Sequence, residues 1–407
     1  MRWLRGVKAH YSDDRATIYH GDCIEVMRSL PDNSVDSVVT DPPYELSFMG
    51  KGWDASGIAY NPEVWRNVLR VLKPGGHLLA FGGTRTWHRL AVGIEDAGFE
   101  IRDSIAWMYG SGFPKSLDVG KAIDKRQGVE REVVGIATSW NRPDSKDGDT
   151  ARMNVSPAEY NLTAPATPEA QKWAGWGTAL KPAHEPIVVA RKPLIGTVAE
   201  NVLTHGTGAL NIDGSRIGYQ SGEVDFTTEQ KQSTTATVNF GITKPGDVVQ
   251  MFKPGGRWPA NVILDESQAA ELDRQSGDVK GMSSQNGNGH VSQGMFGSVG
   301  NIPAGHREGH NDSGGASRFF YVAKANKSER PRDGDTAHPT VKPLTLMRYL
   351  CKLVTPPGGT ILEPFAGSGT TVQAALMEGF NVIGIEMTDE YLPLIVERIE
   401  RYGEMLF

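Results

Sequence analysis

The chain has 407 residues, 39% of them hydrophobic and 22% charged, which is ordinary for a globular protein but long for one domain, so a large core with an inserted or appended unit is expected. A net charge of −6 and a pI near 6.0 argue against a protein that coats nucleic acid non-specifically, while a basic cleft on an acidic body stays open. Two cysteines, Cys23 and Cys351, lie far apart without a CxxC spacing; they exclude a disulfide framework and a cysteine zinc site, no metal is expected, and a reducing cytoplasm fits. The start, Met1-Arg2-Trp3-Leu4-Arg5-Gly6-Val7-Lys8, lacks the apolar core of a signal peptide, and no later apolar run could span a bilayer, so a soluble protein with no membrane partner is expected.

In chain order, Ala16 to His20 reads as a strand stopped by Gly21-Asp22, and Cys23 to Leu30 carries helical spacing at Ile24 and Met27. Val35 to Thr40 reads as a buried strand that breaks into Asp41-Pro42-Pro43-Tyr44, because neither proline offers an N–H to a sheet. After a polar loop, Asn61-Pro62 announces a helix with an apolar stripe at Val64, Trp65, Val68, Leu69 and Leu72, stopped by Lys73-Pro74-Gly75-Gly76. A strand at His77–Phe81, a helix at Thr86–Ala97 and a strand at Phe99–Trp107 follow, and the alternation predicts a doubly wound α/β sheet.

From Gly110 the pattern loosens, until Ile187-Val188-Val189-Ala190 restores a strand signal. Residues 195–330 show no sustained alternation, and 281–316 is rich in Gly, Ser, Asn and His, so this stretch reads as a less regular second unit between a first core part, 1–194, and a second, 331–407. Order returns with a helix at Thr345–Val354, a strand at Gly359–Glu363, a helix at Thr370–Met377, a strand at Phe380–Ile385 and an amphipathic segment at 389–402, where Pro393 costs a backbone bond near the start.

Two constellations carry chemistry. Glu363-Pro364-Phe365-Ala366-Gly367-Ser368-Gly369-Thr370-Thr371 joins a strand to a helix, where glycines admit a ligand to the backbone and the helix start presents free N–H groups; Glu386 ends the next strand, placed to accept from ribose hydroxyls. This layout fits a nucleotide site, including that of a nicotinamide-dependent dehydrogenase, although the third fingerprint glycine is missing; a glycine turn tightening a strand–helix junction is the plainer alternative. The Asp41–Tyr44 turn offers a carboxylate, the Pro42 carbonyl and an aromatic face at a strand's C-terminal edge. That set could hold a base amino group, whose delocalised lone pair must be drawn out of the ring before it attacks, or it could be only a rigid turn with Tyr44 on the core.

Taken together, Gly21-Asp22-Cys23, Asp41-Pro42-Pro43-Tyr44, Lys181-Pro182-Ala183-His184-Glu185-Pro186, His338-Pro339-Thr340-Val341-Lys342-Pro343 and Phe365–Thr370 resemble the S-adenosylmethionine-dependent DNA amino-methyltransferases, in the permuted group where the catalytic tetrapeptide precedes the glycine loop. The resemblance implies a Rossmann-like sheet assembled from both ends of the chain. It implies Asp41, Pro42, Pro43 and Tyr44 as catalytic, and S-adenosylmethionine against Asp22, Asp41, His338, Thr340, Lys342, Glu363, Phe365, Ala366, Gly367, Ser368, Gly369, Thr370 and Glu386. It also implies double-stranded DNA as partner, with the target base flipped out. Asp at the head of the tetrapeptide leans toward adenine N6 over cytosine N4; a homodimer and a partner restriction enzyme are compatible with it, as is a catalytically silent DNA-binding module. The middle region supplies candidate DNA contacts in Lys253, Arg257, Arg318, Lys324, Lys327, Arg330 and Arg332, interleaved with Trp258, Phe319, Phe320 and Tyr321, part of which could instead be a buried strand.

Overall fold

The computed structural model describes residues 8–46, 56–112, 116–139, 158–218, 256–280, 313–324 and 341–404, with the backbone of short strands within 230–307. The chain forms two compact units, Met1–Leu210 with Lys324–Phe407, and Asn211–Ala323.

In the first unit the N-terminal part runs β1 (Tyr11–Ser12), β2 (Ala16–His20), α1 (Cys23–Ser29), β3 (Val35–Thr40), α2 (Pro62–Val71), β4 (Leu72–Phe81), α3 (Trp87–Asp96), β5 (Glu100–Met108), α4 (Val119–Gln127), β6 (Val133–Ser139), β7 (Ala158–Thr163), α5 (Pro168–Lys172), β8 (His184–Arg191) and α6 (Val198–His205). The C-terminal part adds α7 (Leu344–Val354), β9 (Thr360–Glu363), α8 (Thr370–Met377), β10 (Asn381–Glu386) and α9 (Leu392–Glu404). Its sheet has the order β1-β2-β10-β9-β3-β4-β8-β5. The five strands from β2 to β4 are parallel, while β8 runs antiparallel between β4 and β5. The two ends of the chain therefore interleave in one sheet, with Leu362 of β9 beside Val38 of β3.

The crossover from β9 to β10 moves toward one edge of the sheet and that from β3 to β4 toward the other. The switch point falls between β3 and β9, and in an open α/β sheet the crevice beyond the carboxyl ends at that point is where ligands bind. Burial explains why the central strands are apolar throughout. All six residues of β3 are buried, and Val38, Leu78, Leu362 and Ile385 share one cluster with Trp65 and Met27 of the covering helices.

Local chemistry sets the element ends. Asn61 accepts from the Glu63 N–H and Pro62 fills the first turn of α2, as the sequence predicts. Helix α2 ends at Val71, just before Lys73-Pro74-Gly75-Gly76 as expected, but Leu72, expected on its stripe, opens β4, and the strand runs through these residues because Gly75 takes φ +78 and the β3–β4 register shifts there, which absorbs the kink. Pro393 is the second residue of α9, where its missing N–H is one the helix start leaves unpaired anyway, so no bond is lost. Residues 195–210 pack with the core: α6 opens with a Thr197/Glu200 capping box, and buried Asn201 donates to the Pro74 carbonyl at 2.9 Å. The loosened stretch after Gly110 holds α4, the β6–β7 hairpin and α5, tied by Asp124, which accepts from Thr167 Oγ1 at 2.7 Å and pairs with Arg131 at 3.1 Å.

The second unit contains a parallel pair, Val262–Asp265 and Tyr321–Ala323, with a helix at Glu266–Ser276 between them in sequence. Asp273 on that helix accepts from Ser317 N and Oγ, and Arg318 is buried with its guanidinium on the Gly314 and Gly315 carbonyls. Among the described residues no helix is long and apolar enough to cross a membrane.

Candidate active site

Carboxyl ends of adjacent parallel strands deliver the site. β3 ends into Asp41, β9 into Glu363 and β10 into Glu386, while β2 leads into Gly21-Asp22. Because β8 runs the other way, its first residues, His184 and Glu185, arrive at the same edge. These groups line one cleft of about 1120 Å³, together with Tyr44, Phe365, Gly367 and Lys342. The sequence-predicted tetrapeptide and glycine loop, more than three hundred residues apart, thus share a cavity.

Asp41 is held on one side only. Its Oδ2 accepts from Lys342 Nζ at 2.5 Å, whereas Oδ1 is buried and has no hydrogen-bond partner among the described residues. A buried acceptor left unmade is costly, which marks Oδ1 as a group waiting for a donor. Lys342, only 8% exposed, also lies 3.4 Å from Glu185 Oε2 and sits over the rings of Tyr44 and Phe81, 5.1 and 4.9 Å from their centroids. Burial pulls the Lys342 pKa down, but the Asp41 and Glu185 carboxylates outweigh it and hold the ammonium above its ordinary value. The Tyr44 hydroxyl donates to Glu185 Oε2 at 2.7 Å; burial, then the Asp41 and Glu185 charges, push this phenol well above the ordinary tyrosine value, so it stays a neutral donor. Burial, then the nearby Glu185 charge, pushes the Tyr109 phenol up to about 12.

The glycine loop is the second wall. Gly367 has φ +52 and Gly369 φ +81 at the start of α8, and a Cβ on Gly369 would stand 3.0 Å from Ile395 Cα. Glu386 accepts from Gly367 N and Thr388 N, both at 2.7 Å; burial raises its pKa against those donors. Asp22 caps α1 through Oδ1, accepting from Ile24 N and Glu25 N. Glu363 faces inward: its oxygens accept from Thr40 Oγ1 at 2.5 Å, Thr371 Oγ1 at 2.7 Å and Phe365 N at 3.0 Å. It stitches the end of β3 to the glycine loop, and burial pushes its pKa up to about 8.

These residues suit S-adenosylmethionine. Glu386 is a pinned acceptor at the end of β10, Phe365 and Gly367 border the cavity, and two carboxylates around one ammonium leave a net negative charge for a sulfonium. Among the described residues no cluster of His, Cys, Asp and Glu could hold a metal ion.

Other sequence-predicted residues fall elsewhere. His338 and Thr340, like Lys253, Lys327, Arg330 and Arg332, lie outside the described residues. Lys342 lines the cleft with its ammonium on Asp41. In the second unit Arg257 stacks on Phe319 at 4.9 Å and donates to the Arg318 carbonyl, so both arginines hold the unit together, and Trp258, 66% exposed, lies under Arg216; Lys324, exposed, belongs to the first unit. Glu185 and Tyr109 were not singled out from sequence, although Glu185 stands in a quoted motif as a carboxylate heading an apolar strand.

The profile of the N6/N4 methyltransferase family, described as DNA methylase, matches residues 35–397. The type II methyltransferase M.HindIII of Haemophilus influenzae is 21% identical over 94% of each chain. M2.LlaDCHI of Lactococcus lactis is 23% identical over 58% of this chain and 94% of its own. Among solved structures, the PvuII DNA methyltransferase (cytosine-N4-specific) aligns over 98% of this chain and 94% of that one, with 14% identity and a TM-score of 0.45. The complex of M1.HpyAVI with S-adenosylmethionine covers 94% and 98%, with 16% identity and a TM-score of 0.40. With most of its length matched and the tetrapeptide and glycine loop meeting in one cleft, the chain belongs to the N6/N4 DNA methylase family, enzymes that use S-adenosylmethionine as methyl donor.

Proposed function

We propose that this enzyme methylates the exocyclic N6 of adenine at specific sites in duplex DNA, acting on a base flipped out of the stack. The observation that carries the reading is the buried Oδ1 of Asp41, without a partner among the described residues, at a cleft that Pro42 also lines; with the Pro42 carbonyl as the second acceptor, the pair would take the two hydrogens of one amino group. Holding both hydrogens draws the nitrogen lone pair out of conjugation and aims it along the line of displacement. S-adenosylmethionine supplies an electrophilic methyl on a sulfonium. Asp41 Oδ1 also offers an acceptor for the proton that the nitrogen sheds, Lys342 holds that carboxylate in place through Oδ2, and the Tyr44 ring gives the flipped base a face to stack on. Asp rather than Ser at the head of the tetrapeptide supports adenine over cytosine. The inserted unit, placed by sequence at 195–330, is proposed to read the duplex, with Lys253, Arg257, Lys324, Lys327 and Arg330 as its first basic candidates.

The test is to incubate the enzyme with S-adenosylmethionine and unmethylated mixed-sequence DNA, digest to nucleosides and identify the product by mass spectrometry. N6-methyladenine is expected; N4-methylcytosine would overturn the base assignment. Asp41→Asn should bind S-adenosylmethionine with wild-type affinity by calorimetry and lose at least 100-fold in transfer. Wild-type transfer in that variant would remove Asp41 from the chemistry.

A further inference from the structure

We infer that Glu185 is a positioning residue for methyl transfer, which aims the Tyr44 ring and draws Lys342 to one side so that a single oxygen of Asp41 stays free for the base. The inference rests on the reading of Asp41 above, but not on which base it holds.

Glu185 Oε2 makes two contacts that matter. It accepts from the Tyr44 hydroxyl at 2.7 Å, which pins the far end of the ring and so its tilt toward the cleft. It also lies 3.4 Å from Lys342 Nζ. That ammonium is 2.5 Å from Asp41 Oδ2 and packed over two aromatic rings, so it has little room, and the second carboxylate decides where in that room it rests. Without Glu185, Lys342 has one counter-ion instead of two and nothing to keep it from straddling both Asp41 oxygens. The partnerless Oδ1 is the independent sign that it does not straddle them.

Backbone placement makes Glu185 well suited to the task. It is the second residue of β8, opposite Trp107 on β5, and so is anchored by a sheet ladder rather than by a loop. A side chain held in this way transmits position with little slack, and displacements near 1 Å at a reacting centre are worth up to about 100-fold in rate.

The experiment compares wild type, Glu185→Gln, Tyr44→Phe and the double variant in steady-state transfer of labelled methyl to unmethylated duplex DNA, counting total incorporation whatever the base. Glu185→Gln keeps an acceptor for the Tyr44 hydroxyl but loses the charge. Its kcat is expected to fall roughly 10- to 100-fold, with KM for S-adenosylmethionine and DNA changed less than about threefold and Tm near wild type. Tyr44→Phe keeps the ring but frees it from Glu185, and should lose several-fold in kcat; the double variant should lose less than the product of the two single losses, because both act on one unit. With one carboxylate gone from its side, Lys342 loses its proton at lower pH, so the basic limb of the kcat profile should move down in Glu185→Gln, a change that general loosening would not produce. A kcat within twofold of wild type in Glu185→Gln overturns the inference, and so does a loss that follows Tm while the pH profile stays put. Incorporation into cytosine would sink the adenine reading and leave this one standing; no incorporation by wild type would sink both.

Discussion

Glu363 offers a prediction that needs neither substrate nor cofactor. Its carboxyl is buried, accepts three hydrogen bonds, and has a pKa pushed up to about 8 from an ordinary 4.5 by burial, with Thr40, Thr371 and Phe365 N pulling the other way. At neutral pH it therefore carries its proton. Because the folded value is raised, the group's contribution to stability is complete below about pH 4.5 and is lost as pH rises through about 8. The gap between the two values corresponds to about 5 kcal/mol in the limit. Gln is the same shape as the protonated acid: its carbonyl can accept from Thr40 Oγ1 and Phe365 N as Glu363 Oε1 does, and its amide can donate to Thr371 Oγ1. Glu363→Gln should thus match the wild-type Tm near pH 4.5, be ahead by about 2 kcal/mol at pH 6, where the unfolded carboxyl has ionised and the folded one has not, and lead further by pH 9. At roughly 2 °C for each kcal/mol in a chain of this size, the difference should grow to the order of 10 °C. Thermal melts of both proteins from pH 5 to 9 read it directly, and their difference cancels every other titrating group. Parallel curves, or a Gln variant that melts lower at every pH, would refute the assignment of Glu363 as a neutral stitch between β3 and the glycine loop.

Two further outcomes follow from the cofactor wall. Glu386→Ala removes the acceptor pinned by Gly367 N and Thr388 N and should weaken S-adenosylmethionine binding at least tenfold by calorimetry, whereas Cys23→Ser, beside the same cleft, should leave affinity within a few-fold. Gly369→Ala forces a side chain into φ +81 and a Cβ to 3.0 Å from Ile395 Cα, so it should cost about 1–3 kcal/mol, seen as a lower Tm, with cofactor affinity falling as the loop shifts.

Much of this fold could be read in one dimension because its signals are local. Asn61-Pro62 offers a helix cap and a first turn, Thr370–Met377 is bounded by Gly369 and Gly379, both at positive φ, and a strand that ends in two prolines has to leave its sheet. The strand run was harder at Pro74-Gly75-Gly76, since the same residues that stop a helix can also kink a strand, and only the neighbouring β3 decides between the two. The stretch around α4 and α5 was missed for a different reason: it is organised by one buried carboxylate, Asp124, with Thr167 and Arg131, while Val134 and Ile136 remain exposed, so its apolar periodicity is weak.

The site divides along the same line. Asp41, Tyr44, Gly367 and Glu386 follow the last residues of parallel strands, so strand ends read from sequence point straight to them. Glu185 cannot be found by that rule. Periodicity marks β8 as a buried strand but not its direction, and in a parallel strand the residues that reach this edge would be those after Ala190. Running antiparallel, β8 instead delivers its opening residues, and a carboxylate at the head of the run Pro186-Ile187-Val188-Val189 lands against Tyr44 and Lys342, which lie 141 and 157 positions away along the chain. A charge at the start of an apolar strand is ordinarily a solvated edge residue. Here strand direction alone turns it into a member of the active site, which is why Glu185 became visible only once the sheet was assembled.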